Sequence, residues 1–234
     1  MAELLKKTSG FILIISGPSG SGKDTIIDEI IKRDEKTVVS VSMTTRQIRE
    51  NETDGKDYYF ITREEFEKKI NNDEMLEWAI YGGNYYGTPK APVVDWISKG
   101  KTVILKIEVQ GADKIRAKYP DVRTMFLMPP SMHVLERRLR ERKTNTEADI
   151  ARRIEIAKKE ISRANDYDYI VVNNRVSDAV DDVLEIILRH RRHLRMTEED
   201  HIENFYYGQQ FSLRDYLKEH VKVPAPTIDN GKDS

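Results

Sequence analysis

The sequence predicts an α/β fold in which a mostly parallel sheet is flanked by helices. Short apolar runs alternate with amphipathic stretches along most of the 234 residues, an order typical of parallel strands joined by right-handed crossovers. A glycine-rich loop at 17–25 separates the first apolar run from the first amphipathic stretch. Segment 46–98 breaks the alternation, because its aromatic residues alternate with glycines and polar residues. It is predicted to form a small antiparallel lobe inserted between the parallel strands.

The bulk properties narrow the class of protein. A chain of this length suits one compact domain with inserted lobes and a tail. The formal net charge of −1 indicates no general affinity for nucleic acid, and the lack of cysteine excludes disulfides and thiolate metal sites. No apolar run approaches the length of a membrane span, and "MAELLKKTSG" lacks the apolar core of a signal peptide. We therefore expect a cytoplasmic protein with neither nucleic acid nor a membrane as a partner.

The individual elements follow from hydrophobic periodicity. "FILII" (11–15) has the apolar, β-branched character of a buried parallel strand. In "DTIIDEIIKR" (24–33) four isoleucines recur at helical spacing. Further strands are predicted at 37–42, 102–109, 123–128 and 167–172, and amphipathic helices at 131–142, 147–164 and 177–194.

The loop "GPSGSGKDT" (17–25) fits the phosphate-loop pattern G-x-x-x-x-G-K-[ST] in all but one position. Gly17, Gly22 and Lys23 match, whereas Asp24 stands where a hydroxyl is expected. Glycines let backbone N–H groups wrap a phosphate, the following helix turns its positive end toward the same anion, and Lys23 can reach the outer phosphates. An ordinary Gly-Ser-rich turn is the alternative. The strand before and the helix after the loop favour a P-loop NTPase-type sheet.

Two groups of cations are candidates for phosphate contacts. Arg46 and Arg49 follow the strand at 37–42, and ligands of open α/β sheets bind beyond the carboxyl ends of the strands. Their guanidinium groups could clamp a phosphate, and solvated surface arginines are the alternative. The basic stretch 136–154 taken alone is typical of a solvated helix pair, but in a phosphoryl-transfer enzyme such arginines neutralise the transferred group when a lid closes. The histidines have no metal-ligand spacing, and His190 is predicted to lie on the surface.

Taken together, the motifs resemble those of guanylate kinases, the enzymes that transfer a phosphate group from ATP to GMP. The strings "SGPSGSGK", "SMTTRQIRENETDGKDYYF", "LEWAIYGGNYYGTP", "IEVQGA" and "FLMPPS" occur in this order, and the resemblance covers roughly 10–195. It implies a core with a phosphate loop, an inserted GMP-binding lobe and a helical lid that closes over ATP. The implied ranges are 1–45, 99–139 and 154–197 for the core, 46–98 for the lobe and 140–153 for the lid. A C-terminal extension at 198–234 lies outside the resemblance.

The resemblance also implies a role for each matching residue. The ATP-binding residues are Gly17, Pro18, Ser19, Gly20, Ser21, Gly22, Lys23, Asp24, Thr25 and Asn173. Asn173 could equally be a turn residue at the end of a strand. The GMP-binding residues are Arg46, Arg49, Tyr58 and Tyr86 at the phosphate, Ser42, Glu77 and Thr88 at the base, and Glu108 near the base and the metal. The catalytic cations are Lys23, Arg46, Arg138, Arg142 and Arg153, and the implied cofactor is Mg²⁺ bound with ATP.

Glu77 also has a chemical rationale. Guanine presents two donors, N1–H and N2–H, on one edge, and one carboxylate can accept from both, whereas adenine offers no such pair. A buried acceptor left unpaired costs about 1–3 kcal/mol, which would discriminate against AMP. Without the surrounding motif, a solvated acid beside Trp78 would be the simpler interpretation.

Three residues depart from the family's pattern. Asp24 replaces the usual Ser, Thr or Gly, Lys106 stands where Asp or Glu is usual, and Lys143 replaces a frequent lid glycine. Asp24 opens the loop helix, and Lys106 is expected on the neighbouring strand, two residues before Glu108 and on the same face. We hypothesise that Asp24 either pairs with Lys106 or supplies part of the magnesium shell. The competing interpretation is that the carboxylate repels the β-phosphate and impairs the enzyme.

Three functions are compatible with these motifs. The leading one is an active guanylate kinase that uses MgATP to phosphorylate GMP, and also dGMP. One alternative is a catalytically weakened guanylate-kinase-like module that binds GMP or a protein partner, and the other is a kinase of another small phosphate acceptor. We expect a monomer or a homodimer. In the tail, aromatic residues such as Phe205, Tyr206, Phe211 and Tyr216 could pack on the core or meet a partner subunit.

Overall fold

The structure is a computed structural model that describes residues 10–50, 52–141, 146–193 and 205–207. Within these ranges the strands are β1 (Phe11–Ser16), β2 (Thr37–Val39), β3 (Met43–Thr44), β4 (Tyr59–Phe60), β5 (Met75–Tyr81), β6 (Asn84–Pro89), β7 (Thr102–Lys106), β8 (Arg123–Met128), β9 (Tyr169–Val172) and β10 (Phe205–Tyr207). The helices are α1 (Lys23–Arg33), α2 (Arg63–Asn71), α3 (Lys90–Ser98), α4 (Val109–Lys118), α5 (Met132–Glu141), α6 (Glu147–Ile161) and α7 (Val176–His193), with a short 3-10 turn at Ala164–Asp166. None of these described helices combines the length and apolar character needed to cross a bilayer.

The large sheet has the strand order β10-β9-β8-β1-β7-β2, and all its strands run parallel. β1 lies near its centre, and Ile12, Leu13, Ile14 and Ile15 have no exposed surface, as expected for a strand that is apolar on both faces. Successive side chains of β1 point to opposite faces. Ile12 and Ile14 therefore join one core cluster with α3 and α4, whereas Leu13 and Ile15 join another with α1 and α7. This architecture confirms the predicted parallel sheet flanked by helices.

The smaller sheet has the order β4-β3-β6-β5. β5 and β6 form an antiparallel hairpin that turns at Gly82 and Gly83, both at positive φ. β6 also pairs antiparallel with β3, but β3 and β4 run parallel, so the sheet is mostly rather than wholly antiparallel. Helix α2 covers the sheet through Phe66, which is fully buried and stacks on Tyr85 with 5.1 Å between ring centroids.

Some predicted element bounds differ from the structure. The strand predicted at 102–109 stops at Lys106, and α4 begins at Val109, after which the buried residues recur at helical spacing. β-Branched residues continue through this switch and conceal it in the sequence. The strands predicted at 37–42 and 167–172 are also shorter than predicted.

His190 lies in the core, so its predicted surface position is wrong. Its ring packs on Phe11 with 4.7 Å between the ring centroids. Its Nε2 accepts a hydrogen bond from Arg123 Nε at 3.0 Å. An arginine of β8, outside the helix whose arginines suggested a surface position, thus hydrogen-bonds the buried imidazole.

Arg191 ties the end of α7 to the first residues of two strands. Its guanidinium pairs with Asp34 at 2.8 Å and donates to the hydroxyl groups of Thr37 on β2 and Thr102 on β7, both at 2.9 Å. The side chains of Arg191 and Asp34 are only 10% and 16% exposed. The network therefore fixes α7 against the sheet away from bulk water, where each partner depends on the other.

The C-terminal extension is described only at β10. This strand lies parallel to β9, with Phe205 opposite Tyr169. The pairing favours packing of that short piece on the core. Phe211 and Tyr216 lie outside the described residues, and the role of the extension stays a prediction.

Replacing Arg191 by Leu is expected to lower the free energy of unfolding by about 3 kcal/mol, because the charge of Asp34 would remain buried without its partner. Urea denaturation measures this change. The matched control is Arg192→Leu at the adjacent exposed position, for which a change within about 0.5 kcal/mol is expected. Equal effects of the two substitutions would show that the buried network does not hold α7.

Candidate active site

The predicted phosphate loop joins β1 to α1 at the carboxyl edge of the large sheet. Its backbone approaches neighbouring elements so closely that side chains do not fit at two positions. Gly17 has a φ of 147°, and a Cβ there would lie 2.3 Å from the carbonyl oxygen of Leu127. Gly22 has a φ of 97°, and a Cβ there would lie 2.3 Å from Asn173 Nδ2. Conformation and space therefore both require glycine at these positions.

The first turn of α1 is arranged to receive an anion. No side chain caps the helix at Gly22, so the first backbone N–H groups of α1 are not taken up by a capping side chain. Asp24 lies in this first turn, beside Thr25. Thr25 lines a cavity of about 340 Å³ at the loop. The other lining residues are Gly20, Gly22, Arg138, Glu141, Asn173 and Val176.

Lys23 folds back over the loop that precedes it. Its Nζ donates hydrogen bonds to the carbonyl oxygens of Gly17 at 2.5 Å and Pro18 at 3.1 Å. Burial lowers the pKa of Lys23, although the charges of Glu160, Asp24 and Glu108 act in the opposite direction. The ammonium group is thus held at the phosphate loop, as the sequence predicts for a residue that reaches the outer phosphates.

Three predicted ATP-site and catalytic side chains outside the loop contact it directly. Asn173, just after β9, donates from Nδ2 to Ser21 O at 2.7 Å. Arg138 of α5 donates to Ser21 O at 3.4 Å and to Asn173 O at 3.2 Å, and burial lowers its pKa. Arg153 of α6 donates to Ser19 Oγ at 2.8 Å. These contacts bring α5, α6 and β9 together around the loop.

The structure does not describe two of the predicted lid residues. Arg142 and Lys143 lie outside the described residues. The catalytic role implied for Arg142 therefore stays a prediction, as does the effect of Lys143 at the frequent lid glycine.

The predicted residues for the GMP phosphate form a cluster on the smaller sheet and its preceding loop. Arg46 lies over the ring of Tyr58, with its guanidinium carbon 5.6 Å from the ring centroid. The rings of Tyr58 and Tyr86 are edge to face at 5.9 Å. Arg49 is exposed, and its backbone N–H donates to Glu52. The structure brings together Arg46, Tyr58 and Tyr86, with the side chain of Arg49 at the exposed rim.

Glu52 is a member of this cluster that sequence reasoning missed. Its two carboxylate oxygens accept from Arg46 Nη1 and Nη2 at 2.9 and 2.8 Å, and Arg46 Nη1 also donates to Gln47 O. Side chains of Arg46 and Glu52 are 14% and 17% exposed. The sequence does contain a signal for this ion pair, because the acidic residue Glu52 follows both loop arginines within six residues. Glu52 orients the Arg46 guanidinium, which also hydrogen-bonds Tyr86.

Glu77 of β5 is a buried carboxylate that is hydrogen-bonded by Thr88. Thr88 Oγ1 on the adjacent β6 donates to Glu77 Oε1 at 2.8 Å. Gly111 faces the other oxygen, since a Cβ on Gly111 would lie 3.3 Å from Oε2. Burial raises the pKa of Glu77, opposed by the hydrogen bond from Thr88 and the charge of Lys114. A buried carboxylate of this kind is suited to a ligand that supplies further hydrogen-bond donors.

The remaining two predicted base residues flank this lobe. Ser42 precedes β3 and is half-buried, and its carbonyl oxygen accepts from Tyr59 N at 2.9 Å. Glu108 stands at the N-terminal end of α4, where its side chain is exposed. The charge of Glu108 acts on Lys23, which puts it on the phosphate-loop side of the lobe.

Asp24 and Lys106 form an ion pair, as one of the two hypotheses for these departures predicts. Lys106 Nζ lies 2.6 Å from Asp24 Oδ1, and the side chains are 38% and 66% exposed. The carboxylate beside the phosphate loop is therefore compensated by a cation. This pairing counts against the interpretation that Asp24 simply repels the β-phosphate.

Glu160 is a second residue of the site that sequence reasoning missed. It lies on α6, seven residues and thus two turns after Arg153, on the same face of the helix. Burial raises the pKa of Glu160 to about 7, with the charge of Lys23 opposing and that of Glu108 adding to the shift. In the sequence, the seven-residue spacing from Arg153 is the one feature that could have pointed to Glu160 as a residue of the site. Glu160 thus joins Asp24 and Glu108 as a carboxyl group whose charge acts on Lys23.

The site combines a glycine phosphate loop at a strand end, cations from two further segments around it and a separate lobe with its own arginine cluster. This combination defines a phosphate-loop kinase. Such enzymes move a phosphoryl group between two bound substrates. A sequence model described as "Guanylate kinase" matches residues 9–190. The chain belongs to the guanylate kinase family.

Individual relatives agree with this assignment. The guanylate kinase of Carboxydothermus hydrogenoformans is 48% identical over 179 residues, which cover 76% of this chain and 87% of that protein. The guanylate kinase of Streptococcus thermophilus is 51% identical over 179 residues, or 76% of this chain and 86% of that protein. A crystal structure of guanylate kinase from Anaplasma phagocytophilum is similar with a TM-score of 0.65 and 37% identity, covering 79% of this chain and 88% of that chain.

Glu160→Gln is expected to stabilise the protein mainly above pH 7. The carboxyl group has an ordinary pKa of 4.5 and a folded-state pKa of about 7, so its ionisation opposes folding increasingly as pH rises from 4.5 to 7 and fully above that range. The variant should raise the free energy of unfolding by roughly 2–3 kcal/mol at pH 8 but by about 1 kcal/mol or less at pH 5.

Urea denaturation at the two pH values measures this difference. Glu155→Gln, at an exposed position of the same helix, is the control and should lack the pH dependence. A gain for Glu160→Gln that is equal at pH 5 and pH 8 would contradict the assignment of a raised pKa.

Proposed function

We propose that this protein transfers the terminal phosphoryl group of MgATP to GMP, and to dGMP, with ADP and the nucleoside diphosphate as products. The proposal is carried by the buried carboxylate of Glu77. Among the side chains of the described residues, only that of Thr88 donates a hydrogen bond to it. The N1–H and N2–H groups of guanine would complete its hydrogen bonding and stabilise its charged form. The guanylate kinase relatives support the same reaction.

On the ATP side, the loop backbone, the first turn of α1 and Lys23 would hold the outer phosphates. Lys23 would exchange the carbonyl oxygens of Gly17 and Pro18 for phosphate oxygens, which carry more negative charge. Arg138 and Arg153 already contact the loop and would neutralise charge on the transferred group. Phosphoryl transfer needs no protein nucleophile, so placement and cations of this kind supply most of the catalysis.

On the acceptor side, Arg46, Arg49, Tyr58 and Tyr86 would hold the phosphate of GMP. Glu52 fixes the orientation of Arg46, and Tyr86 hydrogen-bonds the same guanidinium. Tyr58 and Tyr86 contact each other beside it, so their phenols can converge with the guanidinium on one anion. This arrangement would aim a phosphate oxygen of GMP toward the phosphate loop.

The cofactor that fits this site is Mg²⁺ bound with ATP. In the described ranges no three His, Cys, Asp or Glu side chains are grouped so as to hold a metal ion. Mg²⁺ in such enzymes is held by substrate phosphates, water and one or two carboxylates, so a dedicated cage is not needed. Asp24 and Glu108, two of the three carboxyl groups whose charges act on Lys23, could contribute. When bound, the metal would neutralise phosphate charge.

The proposal is tested by measuring ADP release in a coupled assay with ATP, Mg²⁺ and GMP. We expect turnover that requires GMP, and a rate with AMP at least tenfold lower. The acceptors dGMP and IMP belong in the same screen. Tight GMP binding without turnover would instead favour a weakened GMP-binding module, and faster turnover of another acceptor would favour a different kinase. The monomeric or homodimeric state and the cytoplasmic location stay predictions.

Glu77→Gln is expected to lower kcat/KM for GMP by about 10- to 100-fold, because the amide offers one acceptor oxygen and places its NH₂ group against a guanine donor. The selectivity for GMP over AMP should fall by a similar factor. Glu74→Gln, which removes an exposed acid of the same lobe, is the control and should leave both values nearly unchanged. If Glu77→Gln retained the selectivity, Glu77 would not be the guanine acceptor.

A further inference from the structure

Lys106 ends β7 at the edge of the sheet that carries the phosphate loop. β7 is a direct neighbour of β1, and Lys106 stands opposite Ile15, two residues before Gly17. The preceding residues of β7 are buried, whereas the side chain of Lys106 is 38% exposed. The ammonium group of Lys106 therefore lies outside the sheet, beside the phosphate loop. Related guanylate kinases usually have Asp or Glu at this position.

The ammonium group of Lys106 lies between the loop helix and the smaller lobe. On the loop side, its Nζ is 2.6 Å from Asp24 Oδ1 in the first turn of α1, and its charge acts on Lys23. On the lobe side, Tyr58 and Asp57 interact electrostatically with it. Lys106 is therefore within electrostatic reach of two residues proposed to bind ATP, Asp24 and Lys23, and of one proposed to bind the phosphate of GMP, Tyr58.

The partner of Lys106 can be exchanged. The ion pair with Asp24 is open to solvent, with side chains 38% and 66% exposed, and such pairs contribute little to stability. A phosphate monoester carries nearly two negative charges near neutral pH and three acceptor oxygens, so it attracts an ammonium more strongly than one carboxylate does. The flexible four-carbon stem of lysine allows the group to turn from one anion to another.

We propose that Lys106 is a further substrate-binding residue, which exchanges Asp24 for the phosphate group of GMP when GMP occupies the smaller lobe. This inference deepens the proposed function and rests on it, because it assumes that the cluster of Arg46, Tyr58 and Tyr86 receives a nucleotide phosphate. Lys106 adds to that cluster a cation from the opposite side, the side of the phosphate loop. Asp24 thereby holds Lys106 in place until the acceptor arrives.

The first test compares binding of GMP with binding of guanosine, by calorimetry without ATP. In Lys106→Met, we expect GMP binding to weaken about tenfold or more and guanosine binding to change less than twofold, because only GMP carries the phosphate. Lys106→Arg should recover most of the GMP affinity. The matched control is Lys99→Met, which removes an exposed lysine paired with Asp95 at 2.7 Å, before the start of β7 and so at the other edge of the sheet from the loop. It should leave both affinities unchanged.

The second test addresses the exchange itself. Asp24→Asn frees Lys106 and should strengthen GMP binding two- to fivefold, and this gain should disappear when Lys106 is replaced by Met in the same chain. A gain that persists without Lys106 would reduce Asp24 to a general repulsive charge and overturn the exchange.

The outcomes separate this inference from the proposed function. If the protein binds GMP through Lys106 but shows no turnover with ATP, the proposed reaction fails and the role of Lys106 stands. If the protein turns over GMP while Lys106→Met binds GMP as tightly as the unchanged protein, the inference is overturned. It is also overturned if Lys106→Met loses affinity for guanosine by the same factor as for GMP. Thermal unfolding of each variant shows whether it is folded. If Lys106→Met is not folded, the GMP affinity of Lys106→Arg, which retains the charge, is compared with that of the unchanged protein instead.

Discussion

Burial of β1 on both faces is the constraint on which the site depends. The backbone N–H and C=O groups of a buried strand must be paired, so β1 needs a neighbour on each side. β7 and β8 supply these neighbours, and both run parallel to it. Parallel strands end at one common edge. The loop after β1, Lys106 at the end of β7 and Asn173 after β9 therefore come together at that edge, although they lie far apart in the sequence.

The cations of the site each contact an acceptor that belongs to the protein. Lys23 contacts carbonyl oxygens of its own loop, Arg46 contacts Glu52 and Lys106 contacts Asp24. These contacts keep the positive charges close to where phosphates would bind, and they spare each charge the free-energy cost of being buried alone. If a nucleotide phosphate takes the place of the loop carbonyls at Lys23 and of Asp24 at Lys106, as proposed above, part of the ordering of these long side chains has already taken place.

The parts of the fold that could be predicted are those whose signal is local. "FILII" is apolar throughout, and the glycine loop after it has a fixed pattern, so the strand, the loop and the helix were all correctly predicted. The burial of His190 was not predictable, because it depends on Arg123 of β8, which lies far from α7 in the sequence. In the site, strand adjacency made the pairing of Asp24 with Lys106 one of two hypotheses, and the structure shows the pair. Glu160 was missed because its proximity to Lys23 arises only when α6 packs over the loop.

The described large sheet has short strands at both of its edges. β2 and β10 contain three residues each, whereas β1 at the interior contains six. An edge strand exposes unpaired N–H and C=O groups that can recruit a strand of another molecule, and a short edge exposes few of them. By covering β9, β10 replaces a four-residue edge with a three-residue one. The sheet thus presents little template for edge-to-edge aggregation, even though its interior strands are almost wholly apolar.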